Sequence, residues 1–171
     1  MRSLPGQAAG PAGRFRWARR QTSSGANVIV VDASVLATAL ADDGPDGDLA
    51  RARLAGERLA APDLIDLEVT SVLRGRLAGG HLDARRAALA LGDLEAMPLE
   101  RVPALRLVRR CWELRDNVSV YDAAYVALAE ALDALLLTAD ARVSRAPGPR
   151  CRIEVLSAAD RHQRDGRRGP P

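Results

Sequence analysis

Four carboxylic acids occupy positions at which a chain of alternating strands and helices would gather them at one edge of a sheet. Asp32 follows a run of four β-branched residues, and Asp140 follows a second apolar segment of strand length. Asp122 lies near the start of an alanine-rich helix, and Glu68 lies on the apolar stripe of another helix. Carboxylate oxygens are preferred ligands of Mg²⁺ and Mn²⁺. A divalent cation held among them can promote ionisation of a water for phosphodiester hydrolysis.

Three of these acids also have a purely structural interpretation. Asp32 and Asp140 each precede a helical segment and can serve as its N-cap. Asp122 lies three residues after Ser119, which is the spacing of a capping-box variant. Taken singly, therefore, none of the three identifies a site.

Glu68 is harder to explain as structure, because burying an unpaired carboxylate costs several kcal/mol or forces protonation. The structural alternative is an ion pair with Arg74 or Arg76. Considered together, however, four acids at one sheet edge repel one another unless a cation lies among them. The chain has no His/Cys set with zinc spacing, so oxygen-only ligands favour Mg²⁺ or Mn²⁺. Ser34 and Thr138, beside Asp32 and Asp140, are predicted to orient the carboxylates, with a local turn or helix-start bond as the alternative.

The elements that must position the acids follow from apolar periodicity and from turn residues. The uninterrupted apolar run that begins at Val28 is typical of a strand buried on both faces in a parallel sheet. The predicted strands are residues 28–31, 58–61, 98–102, 134–138 and 152–156. The predicted helices are residues 33–41, about 48–57, 63–78, 83–97, 103–116 and 120–133. Their alternation predicts an α/β fold with a central, mostly parallel sheet covered on both sides.

The charge distribution separates a folded body from two tails. Residues 1–27 carry five arginines and no acid, whereas residues 28–160 carry 16 arginines against 21 acids. We therefore predict a disordered leader at 1–27, a domain at 28–158 and a flexible basic tail at 159–171. A further hypothesis is that translation natively starts at Val28, which a GTG start codon would appear to encode.

Composition also bounds the compartment and the chemistry. The chain contains no lysine, so every mechanism that needs a lysine amine is excluded. No apolar run approaches the roughly 20 residues of a membrane span. Cys111 and Cys151 have no metal-ligand spacing, which favours free thiols in a cytoplasmic protein.

Four segments together resemble the PIN-domain family, and more closely its VapC-type toxins. They are VVDASVL at 30–36, LEVTSVLR at 67–74, YDAAYVALAE at 121–130 and TAD at 138–140. Each segment alone is weak evidence. Their order and spacing are specific, above all Tyr-Asp-Ala-x-Tyr followed by Thr-x-Asp.

The resemblance implies a three-layer α/β/α fold and a Mg²⁺- or Mn²⁺-dependent endoribonuclease that cuts structured RNA, usually transfer RNA and sometimes ribosomal RNA. The family's acidic quartet falls on Asp32, Glu68, Asp122 and Asp140. It also implies a homodimer, inhibited by a VapB-type antitoxin whose C-terminal segment enters the acidic site. Four arginines that flank the acids are candidates for phosphate contact, with solvated surface positions as the alternative: Arg74, Arg76, Arg142 and Arg145.

Other proteins that place acids at strand ends fit less well. A phosphotransfer receiver domain needs a lysine, and a haloacid-dehalogenase-type phosphatase needs a second aspartate where Ser34 stands. No Gly-x-Gly-x-x-Gly follows the first strand, so a dinucleotide-binding domain is unsupported. Two alternatives remain open: a catalytically idle PIN-like module that binds RNA or protein, and a PIN nuclease that processes RNA without a paired antitoxin.

Overall fold

The computed structural model describes residues 28–157, and the predicted leader and basic tail lie outside them. The chain forms strands β1 (Val28–Val31), β2 (Arg58–Pro62), β3 (Leu99–Val102), β4 (Leu135–Thr138) and β5 (Ile153–Val155). The helices are α1 (Ala33–Ala41), α2 (Pro45–Leu54), α3 (Ile65–Ala78), α4 (Ala84–Ala96), α5 (Val108–Leu114), α6 (Val120–Leu132) and α7 (Ala141–Arg145). A 3₁₀ turn, Ala104–Arg106, precedes α5.

The strands form one sheet in the order β3-β2-β1-β4-β5, and every neighbouring pair is parallel. The central strand β1 has Val30 and Val31 fully buried, as its apolar sequence predicts. Helices α1, α2, α3 and α4 pack together, whereas α5 packs on α6 and α6 lies against β1 and β2. This is the predicted α/β architecture, and it agrees with three α/β/α layers.

Two helices differ from their predicted bounds. Helix α2 spans Pro45–Leu54, whereas the predicted helix covers residues 48–57. It begins at Pro45 because proline at the first helical position is preset for the helix, and Asp46 and Asp48 complement its dipole. The predicted helix at 103–116 is divided into the 3₁₀ turn and α5. Asp63 fixes the turn by accepting the Ala104 backbone N–H at 3.1 Å, and Leu107, buried between the two helical pieces, marks the division.

An ion-pair cluster fixes the loop between α7 and β5 to helix α6. The side chain of Glu130 is 12% exposed and accepts two hydrogen bonds from Arg110, at 2.8 and 3.0 Å, and one from the Arg150 backbone at 2.9 Å. Arg110 also donates to the carbonyl of Gly148. Burial alone would raise the pKa of Glu130, but the hydrogen bonds from Arg110 and Arg150 outweigh it and hold the pKa below its usual value.

Two further predictions concern free thiols and the absence of a membrane span. Cys111 and Cys151 are both free, and burial raises the pKa of each thiol. Within residues 28–157, none of the helices has the length and apolar character needed to cross a bilayer.

Candidate active site

Asp32 lies where β1 ends and α1 begins, at the carboxyl edge of the sheet. It is the N-cap of α1, with Oδ1 accepting the Ser34 backbone N–H at 3.2 Å. Its Oδ2 accepts the Ser34 hydroxyl at 3.1 Å and the Thr138 hydroxyl from the neighbouring strand β4. Asp32 is therefore an N-cap, as the structural interpretation predicts. Its carboxylate is half-buried, and these hydrogen bonds hold it at the sheet edge.

Thr138 joins the two strand-end acids. It is 1% exposed, and its hydroxyl donates to Asp32 while accepting the Asp140 backbone N–H at 3.0 Å. The Ser34 hydroxyl similarly accepts the Ala139 backbone N–H at 3.2 Å. Because β1 and β4 are neighbours with Val31 opposite Leu137, these two hydroxyls fasten together the loops that carry the acids.

Glu68 lies in the first turn of α3 and is half-buried. Its Oε2 accepts the hydroxyl of Tyr125, a side chain on α6 that is 2% exposed. The predicted alternative partners were wrong: Arg74 is exposed, and Arg76 donates to the hydroxyl of Thr38 at 3.1 Å. Both arginines leave α3 on turns beyond the one that carries Glu68.

Asp122 lies in the first turn of α6, as the sequence predicts. Ser119 is the N-cap, accepting the Asp122 backbone N–H at 3.1 Å and donating its hydroxyl to Asp122 Oδ2 at 2.7 Å. A neutral hydroxyl thus orients each of the three acids Asp32, Glu68 and Asp122. No salt bridge among residues 28–157 involves any of these three carboxylates.

Asp140 differs from the other three acids because a guanidinium holds it. It caps the short helix α7, and Arg142 binds both of its oxygens, with Nη2–Oδ2 at 2.6 Å. This pairing lowers the pKa of Asp140. Of the remaining arginine candidates, Arg145 donates to the carbonyl of Ala141 at 3.2 Å. The structure thus brings one of the four predicted arginines onto an acid of the site.

The electrostatics show that three acids share one environment. Burial is the main cause that raises the pKa of Glu68, and the charges of Asp32 and Asp122 raise it further against the opposing hydrogen bond from Tyr125. Among residues 28–157, no three acidic, His or Cys side chains already stand in a metal-holding arrangement. The donor set itself, four carboxylates beside hydroxyls, fits a hard divalent cation.

Tyr125 is a site residue that the sequence reasoning did not single out. It belongs to the segment that carries Asp122, three residues further along the same helix. The available signal was chemical: a tyrosine among the buried alanine, valine and leucine residues of this helix needs a partner for its hydroxyl. Burial and the neighbouring carboxylate of Glu68 raise the pKa of Tyr125, so the hydroxyl remains a donor throughout the neutral range.

The comparisons with known proteins agree with this architecture. The family model of the PIN domain matches residues 29–149. The chain belongs to the PIN-domain family. The chain is 43% identical over 129 residues to Ribonuclease VapC9 of Mycobacterium tuberculosis H37Rv, and the match covers 75% of this chain and 98% of VapC9.

Two solved structures share the PIN fold with this chain. The crystal structure of PAE2754 from Pyrobaculum aerophilum is 25% identical, with a TM-score of 0.56 over 86% of this chain and 98% of that chain. VapBC2 from Rickettsia felis, solved bound to a DNA fragment from its promoter, is 14% identical, with a TM-score of 0.56 over 76% of this chain and 99% of the other. The second likeness shows the fold alone.

Proposed function

We propose that this protein is a metal-dependent endoribonuclease toxin of a VapBC-type pair, hydrolysing phosphodiester bonds in structured RNA such as transfer or ribosomal RNA. The observation that carries the proposal is the set of carboxylates at one sheet edge of a PIN domain, three of them held by hydroxyls. The 43% identity to a ribonuclease over nearly its whole length supports the same activity. Its RNA substrates place the protein in the cytoplasm.

Asp32, Glu68, Asp122 and Asp140 are the residues that would hold Mg²⁺ or Mn²⁺. The bound ion supplies Lewis-acid stabilisation of the phosphoryl oxygens and promotes ionisation of the attacking water. The chain's own hydroxyls orient the carboxylates for this task without neutralising them. Thr138 and Ser34 orient Asp32, and Tyr125 orients Glu68.

Three partners belong to the proposal. Arginines near the acids, with Arg142 in direct reach, contact RNA phosphates. A VapB-type antitoxin inhibits the enzyme by entering the acidic site with its C-terminal segment. A homodimer is supported by exposed apolar side chains on the 3₁₀ turn and α5, since such surfaces mark protein interfaces; they are Leu105, Val108 and Trp112.

The test is cleavage of total cellular RNA by the purified full chain, freed of antitoxin, with Mg²⁺, with Mn²⁺ and with EDTA. Asp122→Asn is the site variant. Asp116→Asn is the matched control, because Asp116 is an exposed acid in the nearby α5–α6 turn that pairs only with Arg115 at 3.3 Å. We expect one or a few discrete products that need metal, disappear with Asp122→Asn and persist with Asp116→Asn.

Two other results would redirect the proposal. If the folded protein cleaves no RNA with either Mg²⁺ or Mn²⁺, the result would favour a catalytically idle PIN-like module that binds RNA or a partner protein. Cleavage without any inhibition by the product of a small adjoining gene would favour an RNA-processing nuclease outside a toxin–antitoxin pair.

A further inference from the structure

Arg142 is bound to a predicted metal ligand by an unusually complete set of contacts. Its Nε lies 3.1 and 3.0 Å from the two carboxylate oxygens of Asp140, and its Nη2 lies 2.6 Å from Oδ2. The Arg142 backbone N–H also donates to Oδ1 at 2.8 Å. Both oxygens of Asp140 are therefore occupied from within the same short helix.

The pair is exposed on the arginine side and sheltered on the aspartate side. The Arg142 side chain is 86% exposed, whereas that of Asp140 is 25% exposed. The hydrogen bonds from Arg142 to Asp140 are the main cause that raises the pKa of the guanidinium, and the charge of Asp122 adds to it. Arg145, on the same helix, donates to the backbone carbonyl of Ala141, and only its charge acts on Asp140, as a minor cause that lowers the pKa of that carboxyl.

We propose that Arg142 is an internal counter-ion that holds Asp140 until a divalent cation binds, and that it is then released to contact the RNA backbone. This inference rests on the proposed metal-dependent function. It deepens that function by coupling loading of the cation to presentation of a phosphate-binding side chain.

Three physical arguments favour the replacement of Arg142 by a divalent cation at Asp140. A mostly exposed arginine–carboxylate pair is a weak interaction that a competing cation can displace. The Asp140 backbone is fixed separately through the Thr138 hydroxyl, so only side chains need to turn. A freed guanidinium presents its donors in a planar fork that matches phosphate oxygens. The same residue can therefore stabilise the acidic edge before loading and bind substrate after it.

The first test is calorimetric titration of Mn²⁺ into RNA-free, full-length protein. The proteins compared are wild type, Arg142→Gln and Arg145→Gln, with Asp122→Asn as the site variant. The two arginine variants remove the same charge from the same helix, and only Arg142 touches a carboxylate. We expect Arg142→Gln to bind Mn²⁺ about fivefold more tightly than wild type, and Arg145→Gln to stay within about twofold of it.

The second test follows the guanidinium itself. In ¹⁵N-labelled protein, the Nε–Hε resonance of Arg142, assigned by its loss in Arg142→Gln, should shift when Mg²⁺ is added. The resonance of Arg110, which is bonded to Glu130 away from the acidic edge, should not shift. These two readouts do not depend on cleavage.

The outcomes separate the two proposals. Mn²⁺ binding by wild type, with equal affinities for the two arginine variants or an unmoved Arg142 resonance, would overturn the counter-ion role and leave the nuclease proposal standing. No Mn²⁺ binding by any of the proteins, or binding by Asp122→Asn as tight as by wild type, would overturn the metal site and the counter-ion role with it.

Discussion

The hydrogen bond between Tyr125 and Glu68 yields the sharpest prediction. Tyr125→Phe removes one hydroxyl from a side chain that is 2% exposed and keeps the ring that fills the space. The half-buried carboxylate of Glu68 then loses the only side-chain donor shown for it. A hydrogen bond to a charged group contributes about 1.5–3 kcal/mol, and partial access of water to Glu68 offsets some of that loss. We expect Tyr125→Phe to lower the free energy of unfolding by about 1–2 kcal/mol at pH 7.

The pH dependence has a definite sign. The folded-state pKa of Glu68 is raised, mainly by burial, so its contribution to stability is fully present below its unfolded pKa and is lost as pH rises through the folded one. The bond from Tyr125 favours the charged carboxylate, so its removal raises that pKa further. The destabilisation by Tyr125→Phe should therefore be smallest in acid and grow as the pH rises toward neutrality.

Urea denaturation at pH 4 and pH 7 measures both effects, and a double-mutant cycle with Glu68→Gln isolates the pair. We expect a coupling energy near 1 kcal/mol at pH 7 and a smaller one at pH 4. Val126→Ala, a buried change on the same helix that removes no hydrogen-bonding group, is the control and should show no coupling to Glu68→Gln. A Tyr125→Phe protein as stable as wild type at pH 7, or a coupling that does not change with pH, would refute the reasoning.

Two further predictions concern the other buried polar contacts. Thr138→Val keeps the side-chain volume but removes the hydroxyl that joins Asp32 to the Asp140 backbone. The free energy of unfolding, measured by thermal denaturation, should fall by about 1–3 kcal/mol, and calorimetry should show weaker Mn²⁺ binding. Unchanged stability and unchanged Mn²⁺ affinity would contradict the proposed bridging role. Glu130→Gln removes the more buried of the two carboxylates that pair with Arg110, the other being Glu113, and should cost about 1–3 kcal/mol at pH 7 in urea denaturation. Because the pKa of Glu130 is lowered, that cost should shrink as the pH falls through the folded-state pKa, and a cost independent of pH would count against it.

Much of the fold is contained in local sequence patterns. The β-branched run before Asp32 could only be satisfied by a strand covered on both faces, and β1 is that strand. The ends of most elements fall within two residues of their predicted positions, because Pro62, Asp83, Ser119 and Asp133 terminate or cap elements by local chemistry. The start of helix α2 lies before its predicted position because Pro45 and the acids after it favour a helix start that apolar periodicity does not show.

The candidate site was predictable in position but not in its contacts. That Asp32 and Asp140 end neighbouring strands follows from topology, and the structure places β1 beside β4. That Glu68 pairs with a tyrosine and not with an arginine depends on how α3 and α6 approach across 57 residues of sequence, which no local pattern encodes. The contact of Arg142 with Asp140 was not predictable either, because sequence spacing alone does not decide whether an arginine side chain faces solvent or a carboxylate.

The choice of partners at this edge has a chemical logic. A guanidinium stabilises a carboxylate by cancelling its charge, whereas a hydroxyl orients the carboxylate and leaves the charge available. Asp32, Glu68 and Asp122 all have hydroxyl partners, so their repulsion persists in the folded protein, and the proposed cation would relieve it. Asp140 alone has an arginine, and the side chain of that arginine is 86% exposed. If the proposed divalent cation binds at this edge, the contact between Asp140 and Arg142 is the one ion pair of the four acids that it would have to displace.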